Sequence, residues 1–158
     1  ETEAYIGRLD KACHAYGYRR TPRTETLFAR PGTAYIYLIY GMYHCLNFVT
    51  EEEGEPAAVL IRGAVPVENG DIIAKNRFRC KEKEMTPYQR KNFLNGPGKL
   101  CQGLALTRAQ NGLDLTDGAG ELWLCPGAPP DPAAVRTGRR IGIDYAEEAV
   151  DFPWRFYL

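Results

Sequence analysis

Between Thr33 and Asn47 the chain reads Thr-Ala-Tyr-Ile-Tyr-Leu-Ile-Tyr-Gly-Met-Tyr-His-Cys-Leu-Asn, the segment that most narrows what it can fold into. Tyrosine, isoleucine and leucine largely alternate there and Gly41 interrupts them, which predicts a β-hairpin with Tyr40, Gly41 and Met42 at or near its tip. Alternation sets Tyr35, Tyr37 and Ile39 on one face of the first strand and Ala34, Ile36 and Leu38 on the other. A tyrosine row of this kind is placed to line a pocket. Tyr40 is the anomaly, because a large aromatic at a turn gains nothing from the core. Either it meets a partner, or it is a wedge that enters a base stack and fills the hole left by an extruded nucleotide.

With 158 residues, 44% hydrophobic and 25% charged, the chain has the length of one domain and enough apolar content for a core. No repeat or linker divides it. A second apolar run, Ala57 to Val67, reads as strand; Arg62 interrupts it, and an arginine in a buried strand needs a partner. Thr86 to Asn111 reads as helix in two pieces, broken by Asn95-Gly96-Pro97-Gly98 and ended at Gly112. Glu121–Cys125, Arg140–Ile143 and Trp154–Leu158 read as short strands. The expectation is a single compact α+β domain over 1–158, with a largely antiparallel curved sheet, flanking helices and a protruding hairpin.

The apolar stretch Ala34–Tyr43 is about half of the roughly 20 residues a membrane helix requires, so no membrane partner is expected. Five cysteines with wide spacings and no Cys-x-x-Cys pair favour free thiols over a disulfide framework. Two histidines and no close ligand cluster leave no metal site, and no cofactor is implied. Lys+Arg 20 balance Asp+Glu 20, yet the distribution is uneven. Arg19, Arg20, Arg23 and Arg30 face only Glu25, and seven basic residues from Lys75 to Lys91 face only Glu82 and Glu84. Acid collects at Glu51, Glu52, Glu53 and Glu55 and again from Asp144 to Asp151. Such a chain either presents a positive face to a polyanion or carries ordinary solvated charge.

Glu1, Glu3 and Tyr5 alternate, which reads either as an exposed polar strand face or as a carboxylate general base beside an aromatic wall. Glu1 and Glu3 as a glycosidase pair is a third option, disfavoured because i and i+2 carboxylates lie side by side instead of facing across a substrate. Gly96-Pro97-Gly98-Lys99 lacks the spacing and the hydroxyl residue of a nucleotide-binding loop, but a glycine turn with Lys99 can hold a DNA phosphate.

Glu-Thr-Glu-Ala-Tyr at the start, His14, Thr21-Pro22-Arg23, Pro31-Gly32-Thr33, the Tyr35-to-Tyr43 block, Asn47, Leu60-Ile61-Arg62-Gly63-Ala64, Gly96-Pro97-Gly98-Lys99-Leu100-Cys101-Gln102 and Arg155-Phe156-Tyr157 follow one another in order. Together they resemble the alkyladenine (3-methyladenine) DNA glycosylase family over nearly the whole chain. The resemblance implies a monofunctional DNA-3-methyladenine glycosylase of base excision repair, without lyase activity. It would act as a monomer on double-stranded DNA, flip damaged purines and hydrolyse their bond to deoxyribose, leaving an abasic site. It matches Glu3 to the general base and Arg62 to the residue that helps hold the attacking water. Tyr5, His14 and Tyr37 match the base-pocket walls, Asn47 the residue that crowds a normal guanine, Tyr40 the intercalating residue and Met42 its neighbour.

Arg19, Arg20, Arg23 and Lys99 are the expected backbone contacts. The implied substrates are 3-methyladenine and 7-methylguanine, then hypoxanthine or ethenoadenine, whose neutral bases would need a proton that no evident acid supplies. A DNA substrate and unpaired cysteines imply a cytoplasmic, nucleoid or nuclear setting, although no targeting signal is readable. Relative to the family both ends look trimmed. The alternative from another class is a damaged-DNA binding module without turnover.

Overall fold

The tyrosine-rich run folds as the hairpin its alternation predicts. In the computed structural model, which describes residues 1–158, β1 (Thr2–Ile6), β2 (Ala34–Ile39), β3 (Tyr43–Val49) and β4 (Ala57–Ile61) are followed by helices α1 (Gly70–Phe78), α2 (Pro87–Lys91) and α3 (Pro97–Gly103), and then by β5 (Arg136–Gly138) and β6 (Arg155–Tyr157). The six strands form one antiparallel sheet in the order β2-β3-β4-β1-β6-β5. This is the expected α+β arrangement. No helix is long and apolar enough to cross a membrane.

Tyr40 and Gly41 make the reversal at the hairpin tip with φ of 53° and 70°, and the Met42 amide donates to the Ile39 carbonyl at 3.2 Å. Glycine adopts that region freely, whereas tyrosine does so at a cost of about 1–2 kcal/mol. The two faces of β2 separate as alternation requires. Tyr35 packs with Cys13, Leu27, Phe28, Val49 and Ala58, and Tyr37 leans on the same cluster. Ala34 and Ile36 pack on the opposite face with Leu46, Leu100, Cys101, Leu106 and Leu115, so α3 closes that side of the sheet.

Several expectations are corrected. The second apolar run stops pairing at Ile61, so Arg62 ends β4 instead of interrupting it, and Val65 and Val67 are exposed. Pro97 and Gly98 belong to the first turn of α3, where proline needs no amide partner, and the break lies before them, between Lys91 and Pro97. Residues 121–125 form no strand; their one pairing, the Leu124 amide on the Leu115 carbonyl at 2.8 Å, is not continued. Arg140–Ile143 turns at Gly142, with φ 76°, and the strand of that region lies earlier, at β5. Helix α1 was not expected; only Ile73 and Ala74 of it are buried, too few to print a helical period in the sequence.

Where β1 leaves the sheet, the Gly7 amide donates to the Pro56 carbonyl at 2.6 Å. A methyl group on Gly7 would stand 2.6 Å from Pro56 Cγ and 2.7 Å from that carbonyl oxygen. Gly7→Ala therefore lowers stability by about 1–3 kcal/mol in urea denaturation, the range for overpacking. Gly118→Ala, which meets nothing within 4 Å, changes it by less than about 0.5 kcal/mol; equal effects would refute the steric account.

Candidate active site

Strand register assembles the site. One ladder row crosses all six strands: Tyr35 pairs with Asn47, Asn47 with Leu60, Leu60 with Glu3, Glu3 with Arg155 and Arg155 with Gly138. Directly paired residues share a sheet face, so Tyr35, Asn47, Leu60 and Glu3 point the same way, along with Tyr5 and Tyr37 two positions along their strands. Strand spacing puts the Glu3 and Asn47 backbones about 10 Å apart, room for a purine between them.

On that face lies a cavity of about 460 Å³, walled chiefly by hydrophobic side chains. Tyr5, His14, Tyr37, Asn47 and Arg62 border it, and Tyr40 reaches its mouth. The register thus brings the expected pocket residues together. Tyr35 and Tyr37 lie with ring centroids 5.4 Å apart, and the His14 ring meets Tyr37 edge-on at 4.6 Å. Asn47 is buried and its amide nitrogen donates to the Tyr35 carbonyl at 3.0 Å and the Cys45 carbonyl at 3.3 Å, which fixes its orientation in the wall.

Glu3 has no exposed surface, so the reading of its strand face as exposed fails. A buried carboxylate is tolerated only when its oxygens are answered. Oε1 accepts from the Ile141 amide at 2.8 Å, and Oε2 accepts from the Tyr5 hydroxyl at 2.8 Å and Arg62 Nη1 at 3.4 Å. Arg62 Nε also donates to Glu1 at 3.1 Å. Both carboxylates therefore sit on one guanidinium, which is not how a glycosidase pair flanks a substrate. Burial first, then the Glu3 charge and its hydrogen bond, push the Tyr5 hydroxyl far above the usual tyrosine range, so it stays a donor.

His14 Nδ1 lies 2.9 Å from the Tyr35 hydroxyl, and Arg23 Nη2 lies 3.5 Å from Nε2. A guanidinium only donates, so Nε2 accepts and Nδ1 carries the proton. Burial, assisted by the Arg23 charge, pushes the imidazole down to about 4. The hydroxyl of Tyr35 is pushed up to about 12 by burial.

At the tip, Tyr40 is 80% exposed and Met42 67%, so neither has a role in the core. Of the expected phosphate contacts, Arg20 is held by Glu25 through two contacts, at 2.9 and 2.6 Å, and lies over Phe28. Lys99 donates to Asn92 at 2.8 Å and Asn95 at 3.0 Å. Arg19 is exposed. Arg23 is exposed, with its guanidinium 5.4 Å from the Tyr37 ring centre.

Sequence reasoning missed the support behind Glu3. Arg140 and Asp10 form a fully buried ion pair with two contacts, and Arg140 also donates to the carbonyls of Ala4 at 2.8 Å and Ala149 at 3.1 Å. Its guanidinium stacks 4.7 Å from Tyr5 and 5.1 Å from Trp154. The next residue supplies the Ile141 amide to Glu3. A sequence separation of 130 residues leaves no local signal for this pair; the Arg139-Arg140 doublet before Ile-Gly-Ile is the only hint. Gly98 was also missed as a wall residue. A methyl there would lie 3.0 Å from Tyr43 Cβ and Cγ, so glycine lets α3 approach the hairpin.

A profile of the methylpurine-DNA glycosylase family matches residues 1–158. Relatives with the provisional name 3-methyladenine DNA glycosylase align over 100% of this chain. They include a Clostridium perfringens strain SM101 protein, 50% identical with 77% of its own length covered, and a Desulfitobacterium hafniense strain Y51 protein, 47% identical with 76% covered. A Clostridium botulinum strain Loch Maree protein is 49% identical, with 77% of its length covered.

The depressed His14 sets a sign for acid sensitivity. Unfolded, it binds a proton near pH 6.5; folded, only near 4, so the unfolded state holds more protons between these values. Its contribution to stability is complete above about pH 6.5 and declines as pH falls toward 4. Melting temperatures measured across this window fall less steeply for His14→Gln than for the parent chain; superimposable slopes would refute the assignment.

Proposed function

The chain belongs to the methylpurine-DNA glycosylase family and is a DNA glycosylase; from that premise we propose that it acts as a monomer, everts an alkylated purine from duplex DNA into the tyrosine-walled cavity, and hydrolyses the N-glycosidic bond with a water activated by Glu3. The observation that carries the reading is the wholly buried Glu3 carboxylate beside this cavity, held by Tyr5, Arg62 and the Ile141 amide.

The proposed sequence uses each group once. Arg19, Arg23 and Lys99 take DNA phosphates, with Arg20 joining them when it exchanges Glu25 for the backbone. Tyr40 enters the stack in place of the everted nucleotide, with Met42 beside it. Eversion costs a few kcal/mol, least where alkylation has already weakened pairing. Stacking on Tyr5 and Tyr37 at roughly 1–3 kcal/mol per base offsets much of it. A cationic 3-methyladenine or 7-methylguanine is drawn to these electron-rich faces and departs as a neutral base. Asn47 crowds the exocyclic amine of an ordinary guanine. Glu3 takes the proton of a water lodged against Arg62 as its oxygen bonds to C1′. No lysine is assigned a Schiff base, so the strand stays intact at the abasic site.

The test separates this reading from a binding module without turnover. Duplex containing 7-methylguanine yields free base and an unbroken abasic strand. Glu3→Gln lowers the single-turnover rate by about 10²-fold or more while fluorescence anisotropy finds lesion-duplex affinity within a few-fold of the parent. Binding without release by the parent chain would establish the module instead. Tyr40→Ala, changing only an exposed tip, weakens lesion-duplex binding by roughly 1–3 kcal/mol; an unaltered affinity would remove the wedge role.

A further inference from the structure

Arg62 is divided between two acids. Its Nε donates to Glu1 Oε1 at 3.1 Å, while its Nη1 reaches Glu3 Oε2 only at 3.4 Å. That second contact is longer than the distance of about 2.7–2.9 Å usual for a guanidinium on a carboxylate. Glu1 is held from its other side as well, where Arg155 Nη1 stands 3.5 Å from the same oxygen. The sheet sets up this arrangement. Glu1 precedes β1 and lies two positions from Glu3, about 7 Å along one strand face. Arg62 follows β4 and Arg155 begins β6, the two strands that flank β1. Left to itself, a guanidinium takes one carboxylate through two parallel N–H bonds. Here Glu1 occupies one edge, so Glu3 receives a single long bond. The difference matters to a base. A carboxylate has about four lone-pair sites, and the Ile141 amide, the Tyr5 hydroxyl and Arg62 use three of those on Glu3. A second bond from Arg62 would use the fourth, through which Glu3 takes a proton from water.

Resting on the glycosylase reading above, we propose that Glu1 is a positioning residue: it holds Arg62 back from Glu3 and so keeps a lone pair of the base for the attacking water. Glu1 acts only through the Arg62 guanidinium, and Arg155 fixes it from the β6 side. Removing the Glu1 charge releases the Nε edge, and Arg62 closes on Glu3 with both nitrogens. The Glu1 side chain is 28% exposed, and an ion pair with that access to water contributes little to stability. Its effect falls on the geometry of the site instead.

The backbone carbonyl of Glu1, not its side chain, receives the Arg62 and Gly63 amides, so side-chain variants keep the strand end and fold. Single-turnover release of 7-methylguanine and affinity for the lesion duplex are measured for the parent chain, Glu1→Gln, Glu1→Asp, Arg62→Ala and the double variant Glu1→Gln with Arg62→Ala. Glu1→Gln releases base about tenfold or more slowly at unchanged affinity and melting temperature, the loss expected when a reacting group is misplaced. Glu1→Asp, which keeps the charge, recovers part of the rate. With Arg62 gone Glu1 has nothing to hold, so the double variant matches Arg62→Ala within about twofold. Losses that multiply in the double variant would make Glu1 independent of Arg62 and overturn the proposal. It is equally overturned by an unchanged rate in Glu1→Gln, by affinity or melting temperature falling in step with the rate, or by no recovery in Glu1→Asp. Each of these leaves the glycosylase reading standing as long as the parent releases base. Release of no base by the parent defeats that reading, and this one with it.

Discussion

A carboxylate removed from water is the constraint around which this fold is arranged. Moving an isolated charge into a protein interior costs several kcal/mol, so Glu3 is tolerated only because three donors from three parts of the chain meet it. Tyr5 comes from its own strand, Arg62 from the end of the neighbouring strand and the Ile141 amide from a loop near the C-terminus. Each donor has a second duty: Tyr5 and Ile141 border the cavity and Arg62 also binds Glu1. Solving the burial problem of one acid thus builds the wall of a pocket. The same donors leave Glu3 hydrogen-bonded and oriented before any ligand arrives, the preorganisation that the proposed role as a base requires.

The Asp10–Arg140 pair supports this arrangement from behind. A fully buried ion pair is weak evidence for stability, because desolvation cancels much of its attraction. Its value is positional. Arg140 ties together the carbonyl of Ala4 in β1, the Asp10 loop and the Ala149 carbonyl, and lays its guanidinium against the rear of Tyr5. Since the following amide is the one Glu3 accepts from, the direction of Arg140 fixes both a wall ring and the carboxylate.

The hairpin was legible because its signals are local: a period of two, a glycine at the reversal and aromatic enrichment all lie between Thr33 and Asn47. Glu3 and Arg62 were legible as chemistry, through a resemblance, but composition could not tell a buried carboxylate from a solvated one. The difference lies in partners 59 and 138 residues away. Residues 140–143 misled because Arg-Ile-Gly-Ile has the apolar content of a strand, while Gly142 turns the backbone and the arginine points inward to Asp10. Helix α1 stayed hidden for the opposite reason: Ile72 is largely exposed, so its apolar residues do not mark a single buried stripe.

Net neutrality does not oppose binding to a polyanion if the charges are far enough apart to be screened from one another. Glu51, Glu52, Glu53 and Glu55 are exposed in the loop after β3, at the end of that strand opposite Tyr40 and Met42. The seven residues of β3 span about 24 Å, roughly three Debye lengths at physiological ionic strength. A phosphate at the hairpin tip therefore feels little of that acid. What it feels is local: Arg23 has no carboxylate to quench it, and none of the basic residues from Lys75 to Lys91 enters a salt bridge, whereas Arg20, Arg30 and Arg139 are each committed to an acid. Attraction to DNA then depends on which cations are unpaired and where they stand, quantities that a formal charge of zero conceals.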